Sequence, residues 1–281
     1  ESAGIDTVLT DQPERIGALD LGYAITGRWH GLIRLQRPAS GTASMPAGTA
    51  KISFTSGSTG NPKGACLTAD GLLDTAQAVA TRLGDIPVRR HLVTLPLSLL
   101  LENTAGIYAP LLRGAEIHLP GLATLGWQGM AGFDPKLLQQ GVERLRPETM
   151  ILVPELLKAW SLLLSATGRK AADSLHFVAV GGARVDARSI ALARRVGIPA
   201  YQGYGLTECG SVVSLNCPGD DSDDAGRPLD HVQVRVRDGE IIVAARALLG
   251  YLGDAGLRAA DGCPREFSTG DLGHLDESGH L

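Results

Sequence analysis

A run rich in glycine and hydroxyl side chains follows a strand-like segment, and residues 50–64 read Ala-Lys-Ile-Ser-Phe-Thr-Ser-Gly-Ser-Thr-Gly-Asn-Pro-Lys-Gly. The apolar segment Ala50–Phe54 predicts a strand, and the helical periodicity of about Thr68–Leu83 predicts a helix after the loop. Within the loop, glycines leave backbone N–H groups free to face an anion, and Lys63 supplies the countercharge. The spacing is not that of a Walker P-loop, because Pro62 precedes the lysine. The sequence therefore predicts a phosphate site at the end of a strand.

The rest of the chain alternates between short apolar runs and helical patterns. Strands are predicted at His91–Leu95, Ala115–Leu119, Leu175–Val180 and Ile198–Gln202, and helices at Lys136–Leu145, Val153–Leu164 and Asp186–Val196. This alternation predicts an α/β fold of layered, mainly parallel sheets with helices on both faces. Near residue 225 the pattern changes, and a small antiparallel β unit is predicted from Val232–Val236, the turn Asp238-Gly239 and Glu240–Ala245.

These patterns divide the chain into three parts. Residues 1–48 are interpreted as an incomplete leading segment and a linker, residues 49–224 as an α/β body, and residues 225–281 as a small β subdomain. The chain opens without methionine and stops just after a turn-like sequence, so we expect it to be a piece of a longer protein.

Composition excludes several classes of function. The 281 residues are 44% hydrophobic and carry a net charge of −4, which argues against a broad nucleic-acid or anionic-membrane surface. The most apolar stretch, Leu92–Leu101, is too short to span a bilayer. The cysteines are too few and too irregularly placed for a disulfide framework, and a zinc site is not expected because no two of them form a CxxC pair. The four cysteines are Cys66, Cys209, Cys217 and Cys263. A cytoplasmic protein is therefore predicted.

Two further loops carry residues that suit nucleotide chemistry. In the segment Tyr201–Glu208, glycines flank Tyr204 and would let a planar base lie against its ring. Thr207 offers a hydroxyl to a phosphate oxygen, and Glu208 offers a carboxylate to Mg²⁺. In the third loop, the glycine turn at Thr269-Gly270-Asp271 holds an aspartate that could accept both hydroxyls of a ribose. Each of these two loops alone is weak evidence for a nucleotide site, whereas the three loops together are a specific signal.

Together the motifs resemble those of the adenylate-forming superfamily, which contains acyl-CoA synthetases, luciferases and peptide-synthetase adenylation domains. They occur in the family's order from about residue 50 to the end of the chain. The matching stretches are Phe54–Gly64, Gly181-Gly182-Ala183, Gln202–Glu208, Gly226-Arg227-Pro228, Gly250-Tyr251 and Thr269-Gly270-Asp271.

The resemblance implies that ATP activates a small carboxylic acid as an acyl-adenylate, with release of pyrophosphate, and that a thiol then takes the acyl group. It implies Lys63, Thr207 and Glu208 as catalytic residues, with Thr207 on the α-phosphate and Glu208 on Mg²⁺. Asp271 would bind the ribose, Tyr204 would stack on the adenine, and Gln202 would face its amino edge. The remaining implied nucleotide contacts are Thr55, Ser56, Gly57, Ser58, Thr59 and Gly60 at the phosphates and Gly182 and Ala183 at the adenine.

The acyl pocket is predicted at Leu95–Asn103, where the leucines and the lack of an aspartate favour an apolar acyl or aryl acid. The opening Leu-Pro-Leu-Ser with a following glutamate looks most like long-chain fatty acyl-CoA synthetases. Coenzyme A is the expected acceptor, and the phosphopantetheine of an acyl carrier protein is the alternative. A non-catalytic nucleotide- or acyl-binding module is the alternative outside enzymes. The family's lid domain, with its lysine, would lie beyond Leu281.

The histidines and the acidic cluster are interpreted as structural or surface residues. His91, His118 and His176 are expected to be packed or hydrogen-bonded, whereas His274 and His280 are expected to be exposed. The acidic cluster Asp220–Asp224 is interpreted as a solvated loop.

Overall fold

A computed structural model of the chain describes residues 4–38, 44–55, 62–129, 132–220, 224–253 and 264–281. The strands are β1 (Thr7–Thr10), β2 (Ala24–Trp29), β3 (Leu32–Gln36), β4 (Lys51–Thr55), β5 (Lys63–Leu67), β6 (Arg90–Leu92), β7 (Glu116–His118), β8 (Thr149–Leu152), β9 (Phe177–Val180), β10 (Ala200–Tyr204), β11 (Ser214–Leu215), β12 (Arg227–Pro228), β13 (Gln233–Arg237), β14 (Glu240–Ala245), β15 (Leu248–Tyr251) and β16 (Arg265–Leu272). The α-helices are α1 (Pro13–Gly17), α2 (Ala69–Arg82), α3 (Ala109–Leu112), α4 (Pro135–Leu145), α5 (Pro154–Thr167) and α6 (Ala187–Arg195). Shorter turns are the π-helical stretch Glu102–Tyr108 and the 3₁₀ turns Leu122–Leu125 and Thr207–Cys209.

A seven-stranded sheet with the order β12-β11-β10-β9-β8-β6-β7 forms the centre of the fold. The pairs from β10 to β7 are parallel, and β11 and β12 add an antiparallel edge. The predicted α/β class with a mainly parallel sheet is therefore confirmed.

Strand β9 shows that both faces of this sheet are covered. Val178 and Val180 pack into the core cluster that contains residues of α4, α5 and α6. Phe177 and Ala179 point the other way, into the cluster that contains residues of α2 and α3. Side chains alternate between faces along a strand, so helices must lie on both sides of the sheet, as predicted.

The longer helices begin where their capping residues predict. The Thr68 hydroxyl accepts a hydrogen bond from the Gly71 N–H at 3.0 Å, and Asp186 caps α6 by accepting from the Ser189 N–H at 3.0 Å. Pro154 occupies the first turn of α5, where its missing N–H has no helical partner to lose. Local chemistry of this kind explains why the predicted starts of these helices were nearly right.

The glycine-rich loop is followed by a strand, not directly by a helix as predicted. β5 pairs antiparallel with β4, with Thr55 opposite Lys63 and Phe54 opposite Gly64. The run Ala65-Cys66-Leu67 is buried, which is why this segment joins a sheet before α2 begins. The predicted phosphate-binding residues Ser56, Gly57, Ser58, Thr59 and Gly60 lie outside the described residues.

Several elements were not predicted from the sequence. β8 is a buried four-residue strand that runs directly into α5, so periodicity alone does not separate the two. Residues 7–36 contain a three-stranded antiparallel sheet with the order β1-β3-β2. The π-helical stretch Glu102–Tyr108 begins at the last two residues of the predicted acyl segment. The division of the chain at residues 48 and 224 stays a prediction.

The small β unit contains a three-stranded antiparallel sheet with the order β13-β14-β16. Its first hairpin turns at Asp238-Gly239, where both residues have positive φ angles of 52° and 82°. Those angles are typical of a type I′ turn, so the predicted hairpin is confirmed. β16 was not predicted, and it carries the Thr269-Gly270-Asp271 motif.

Two expectations about charged and polar residues were wrong. His280 is buried, with its Nδ1 3.0 Å from Asp224 Oδ2 and its Nε2 accepting from the Arg227 Nε at 2.9 Å. Asp220 pairs with Arg82 and accepts from the Cys217 N–H at 2.9 Å, so neither end of the acidic cluster is a solvated loop. Long-range partners bury these groups, and the sequence gives no sign of them.

The other histidines divide between interior and surface. His91 is buried and hydrogen-bonded, and His118 is partly buried, as expected. His176 is exposed because β9 begins one residue later, which contradicts the expectation for that residue. His274 is exposed, as expected. Across the described part of the chain, no helix has the length and apolar character that crossing a bilayer requires.

Acidification should destabilise the protein partly through His231. Burial lowers the pKa of this imidazole and outweighs the nearby Asp74 and Asp230 carboxylates, which raise it. The unfolded chain therefore binds the proton more readily, so His231 contributes stability above the ordinary histidine pKa that is lost as the pH falls through that range. Thermal unfolding is measured at pH 7.5 and 5.5 for the full-length gene product and for its His231→Gln variant. The midpoint temperature should fall less between the two pH values in the variant. Equal losses would contradict this role.

Candidate active site

A cavity of about 360 Å³ opens at the carboxyl ends of the parallel strands. Its lining includes the segment after β9 (Gly181-Gly182) and the segment from Gly203 to Thr207 at the end of β10. Ligands of open α/β sheets bind at this edge, because the loops that follow neighbouring strands meet there. Three residues predicted for the nucleotide site, Gly182, Tyr204 and Thr207, border this one cavity.

A hydrogen bond connects Tyr204, at the end of the central sheet, to Asp271 of the small β unit. The Tyr204 hydroxyl donates to Asp271 Oδ2 at 2.6 Å. Burial and this bond raise the pKa of the Tyr204 phenol, so it stays a neutral donor at physiological pH. The Asp271 N–H donates to Thr269 Oγ1 at 3.1 Å, and the Thr269 hydroxyl donates to the Ile241 carbonyl at 2.8 Å. The two predicted motifs therefore meet through a fixed pair of side chains.

A second tyrosine–carboxylate pair joins Tyr251 to Glu208, and Lys63 lies near the same tyrosine ring. The Tyr251 hydroxyl donates to Glu208 Oε1 at 2.7 Å, and the Lys63 Nζ lies 5.5 Å from the centroid of the Tyr251 ring. Lys63 and Tyr251 are neighbours because β15 pairs with β5, with Tyr251 opposite Ala65. Gly250-Tyr251 is among the stretches that resemble the family, but Tyr251 was not predicted to be a site residue.

Backbone contact explains the glycines on either side of Tyr204. A Cβ on Gly205 would lie 1.7 Å from the Ser211 carbonyl oxygen, and one on Gly203 would lie 2.9 Å from the Ser214 carbonyl oxygen. From the sequence, these glycines were expected to leave room for a planar base. In the structure they allow the segment 211–214 to lie directly against the end of β10.

Other predicted residues lie outside the cavity lining. Ala183 is exposed, and the Gln202 carbonyl accepts the Asn216 N–H at 2.9 Å. Thr55 ends β4 opposite Lys63. Their assigned contacts with nucleotide stay predictions.

The donor set around Glu208 fits Mg²⁺ better than a metal held by protein alone. In the described segments, no group of three or more histidine, cysteine, aspartate or glutamate side chains could hold a metal ion. Mg²⁺ is commonly held by one or two carboxylates together with substrate phosphates and water. Glu208, which follows the cavity-lining Thr207, would meet that requirement if a phosphate-bearing substrate binds there.

The remaining wall of the cavity is mainly apolar. The predicted acyl segment contributes Leu99, Leu100 and Leu101, and Val153 and Val212 also line the space. Its described lining contains no lysine or arginine. This part of the cavity suits an apolar or aromatic group.

Comparison with known families and proteins gives consistent matches. The family model described as AMP-binding enzyme matches residues 15–246. The 2-succinylbenzoate–CoA ligase of Salmonella typhimurium is 31% identical over 267 residues, covering 92% of this chain and 54% of the relative. The enzyme of the same name from Bacillus velezensis is 28% identical, covering 83% of this chain and 48% of the relative. The chain thus spans about half the length of the curated relatives it matches.

Solved structures agree with this result. The O-succinylbenzoate coenzyme A synthetase (MenE) from Bacillus subtilis in complex with AMP matches with a TM-score of 0.66 and 26% identity. That match covers 85% of this chain and 49% of the solved chain. A complex of the same synthetase with ATP and magnesium ion matches with a TM-score of 0.66 and 25% identity, covering 87% of this chain and 52% of the other.

A methyl group at residue 205 should disturb the end of β10. Gly205→Ala places its Cβ against the Ser211 carbonyl, so the backbone must shift, and overpacking of this kind costs about 1–3 kcal/mol. In the full-length gene product, this substitution should lower the midpoint temperature of thermal unfolding by several degrees. Gly121→Ala is the control, because a Cβ there meets nothing within 4 Å. Equal stability of the two variants would contradict the close approach.

Proposed function

Because the chain belongs to the AMP-binding enzyme family, we propose that it forms the nucleotide- and acid-binding part of an ATP-dependent acid–CoA ligase. In the proposed reaction, a substrate carboxylate attacks the α-phosphate of ATP and displaces pyrophosphate. The thiol of coenzyme A then attacks the acyl carbon of the adenylate and displaces AMP. The observation that carries the proposal is the joining of separate motifs at one cavity, bordered by Tyr204 and Thr207, with Asp271 bound to Tyr204.

The nucleoside is assigned to the Tyr204 side of the cavity. The Tyr204 ring would stack on the adenine, with Gly182 and Ala183 along its edge and Gln202 at its amino group. The hydrogen bond from Tyr204 uses one oxygen of the Asp271 carboxylate. The other oxygen is the acceptor that we assign to the ribose hydroxyls.

The main obstacle to this reaction is the approach of one anion to another. The Lys63 ammonium and the Thr207 hydroxyl are assigned to the phosphates, together with Thr55 and the loop residues Ser56–Gly60. When bound at Glu208, Mg²⁺ would neutralise part of the phosphate charge. No general base is needed, since the nucleophile is already a carboxylate. Losing one preorganised donor of this type costs about 3–4 kcal/mol of transition-state stabilisation.

The acid is proposed to be a compact acid with an aromatic or apolar body. The relatives are named for 2-succinylbenzoate, an aryl acid, and they do not support the long-chain fatty acid expected from the leucine-rich segment. Their names also favour coenzyme A over a carrier protein as the acceptor. A purely binding module is disfavoured because it would not need Lys63 and Glu208. A cytoplasmic location stays a prediction.

Acid-dependent ATP–pyrophosphate exchange by the full-length gene product tests the proposal. The acids should include 2-succinylbenzoate, substituted benzoates, and medium- and long-chain fatty acids. Exchange with an aryl acid, followed by formation of its CoA thioester, would support the proposed reaction. ATP binding without exchange across the whole set would favour a non-catalytic module instead.

Removing the proposed charge partners should slow exchange while the fold survives. In the full-length gene product, Lys63→Ala and Glu208→Gln should each lower the exchange rate by about 100-fold or more, because the first removes the cation assigned to the phosphates and the second removes the carboxylate assigned to Mg²⁺. Lys136→Ala and Glu277→Gln are matched controls at exposed positions. Normal exchange in both site variants would contradict the assigned roles.

Tyr251 is proposed as a positioning residue for Glu208. Tyr251→Phe removes the hydroxyl that donates to Glu208 Oε1 and should raise the Mg²⁺ concentration needed for half-maximal exchange. Excess Mg²⁺ should restore most of the rate, which a general loss of folding would not allow. Tyr23→Phe is the control, because it removes a hydroxyl that donates to the Ile5 carbonyl in the leading sheet. An unchanged Mg²⁺ dependence in Tyr251→Phe would refute this role.

A further inference from the structure

A buried histidine in the lining of the cavity is paired with a buried glutamate that lies behind the lining. His91 is 3% exposed and is among the residues that line the cavity. Glu102 is fully buried, at 0% exposure, and begins the π-helical stretch that follows the leucines of the acyl segment. Charged side chains are almost never fully buried unless they have partners, so this pair needs an explanation.

One side of each group is fixed by a hydrogen bond. His91 and Thr149 are register partners on the parallel strands β6 and β8, and His91 Nδ1 lies 2.8 Å from Thr149 Oγ1. The Glu102 Oε2 accepts the Leu95 N–H at 3.0 Å. These bonds orient the remaining atoms, His91 Nε2 and Glu102 Oε1, towards each other.

The two remaining atoms have no hydrogen-bond partner within the described residues. They lie 3.7 Å apart, which is within ion-pair distance for a protonated histidine but too long for a hydrogen bond between them. An unsatisfied buried polar group costs about 1–3 kcal/mol, so a third group that hydrogen-bonded to both atoms would relieve this cost.

Gly106 keeps the space for this carboxylate open. A Cβ at residue 106 would lie 2.1 Å from Glu102 Oε1 and 3.3 Å from His91 Nε2. The helix turn that carries Glu102 can therefore fold its carboxylate back towards His91 only because residue 106 is a glycine.

We infer that His91 and Glu102 form a subsite for a hydroxyl group on the acid, and this inference rests on the proposed acid-activating function. If the Thr149 hydroxyl donates to Nδ1, the His91 Nε2 carries the ring proton and is a donor. Glu102 Oε1 is an acceptor. A hydroxyl satisfies both atoms, because its oxygen accepts from Nε2 and its proton is donated to Oε1.

A second carboxylate fits this subsite poorly. It has no proton to give to Glu102 and would face that negative charge at close range. The described lining of the cavity offers no lysine or arginine to compensate. The subsite therefore favours a hydroxylated monocarboxylic acid over a dicarboxylic acid.

The test compares matched acids with the full-length gene product. ATP–pyrophosphate exchange is measured with benzoate, the hydroxybenzoate isomers and the benzenedicarboxylates. For the wild type, kcat/KM for one hydroxybenzoate should exceed that for benzoate by at least about 100-fold, since a site built to bind a hydroxyl rejects the analogue that lacks it. The corresponding dicarboxylate should be the poorest substrate.

Two variants separate recognition from general damage. His91→Phe should reduce the preference for the hydroxybenzoate over benzoate to within a few-fold. Glu102→Gln can keep the bond to the Leu95 N–H while it presents an amide donor to the acid. It should therefore raise kcat/KM for the dicarboxylate relative to kcat/KM for the hydroxybenzoate. If His91→Phe does not fold, Thr149→Val, which removes the partner of Nδ1, takes its place.

The possible results are distinct. A wild type without preference for any hydroxybenzoate, or a preference unchanged in all the variants, would overturn the subsite. Calorimetric titration with the same acids decides the matter independently of turnover, since hydroxybenzoate should bind the wild type more tightly than benzoate. Exchange absent with every acid, together with that binding preference, would contradict the proposed reaction and leave the subsite supported.

Discussion

The site depends on the close approach of residues 211–214 to the end of β10. With a Cβ position only 1.7 Å from the Ser211 carbonyl oxygen, residue 205 can only be glycine without a shift of the backbone. This approach fixes the path of the chain from Tyr204 to Glu208. The buried cluster that includes Cys209 and Val213 then packs this path against β14 of the small β unit. The Tyr204 ring, the Thr207 hydroxyl and the Glu208 carboxylate therefore lie on one segment whose path is fixed.

The two carboxylates assigned to the nucleotide and its metal share one arrangement. Asp271 and Glu208 each accept a hydrogen bond from a tyrosine hydroxyl, from Tyr204 and Tyr251 respectively. Tyr204 and Asp271 lie in different sheets, and Tyr251 lies in a strand whereas Glu208 lies in a 3₁₀ turn, so the bonds also hold separate elements together. A carboxylate oriented through one oxygen presents the other in a defined direction, which is what preorganised binding of ribose and Mg²⁺ requires. In the proposed function, the same contacts would therefore orient the site residues and hold the fold together.

Local signals in the sequence predicted the alternating α/β body, the capped starts of α2 and α6, and the Asp238-Gly239 hairpin. Features set by distant segments were not predictable. Tyr251 reaches Glu208 only because β15 pairs with β5, and His280 is buried only because Asp224 and Arg227 surround it. The substrate was harder still. Leucines at residues 97–101 indicate an apolar wall, but they do not reveal that His91 and Glu102 lie behind it, because a strand and a helix turn must first be packed together.

The central claim is that the cavity at the end of β10 binds the adenylate. A crystal structure of the full-length gene product with a non-hydrolysable acyl-adenylate analogue tests this directly. The adenine should lie against the Tyr204 ring, the ribose hydroxyls on Asp271, and the acyl group among the leucines of the cavity wall. An analogue bound elsewhere, or bound here with its ribose away from Asp271, would contradict it.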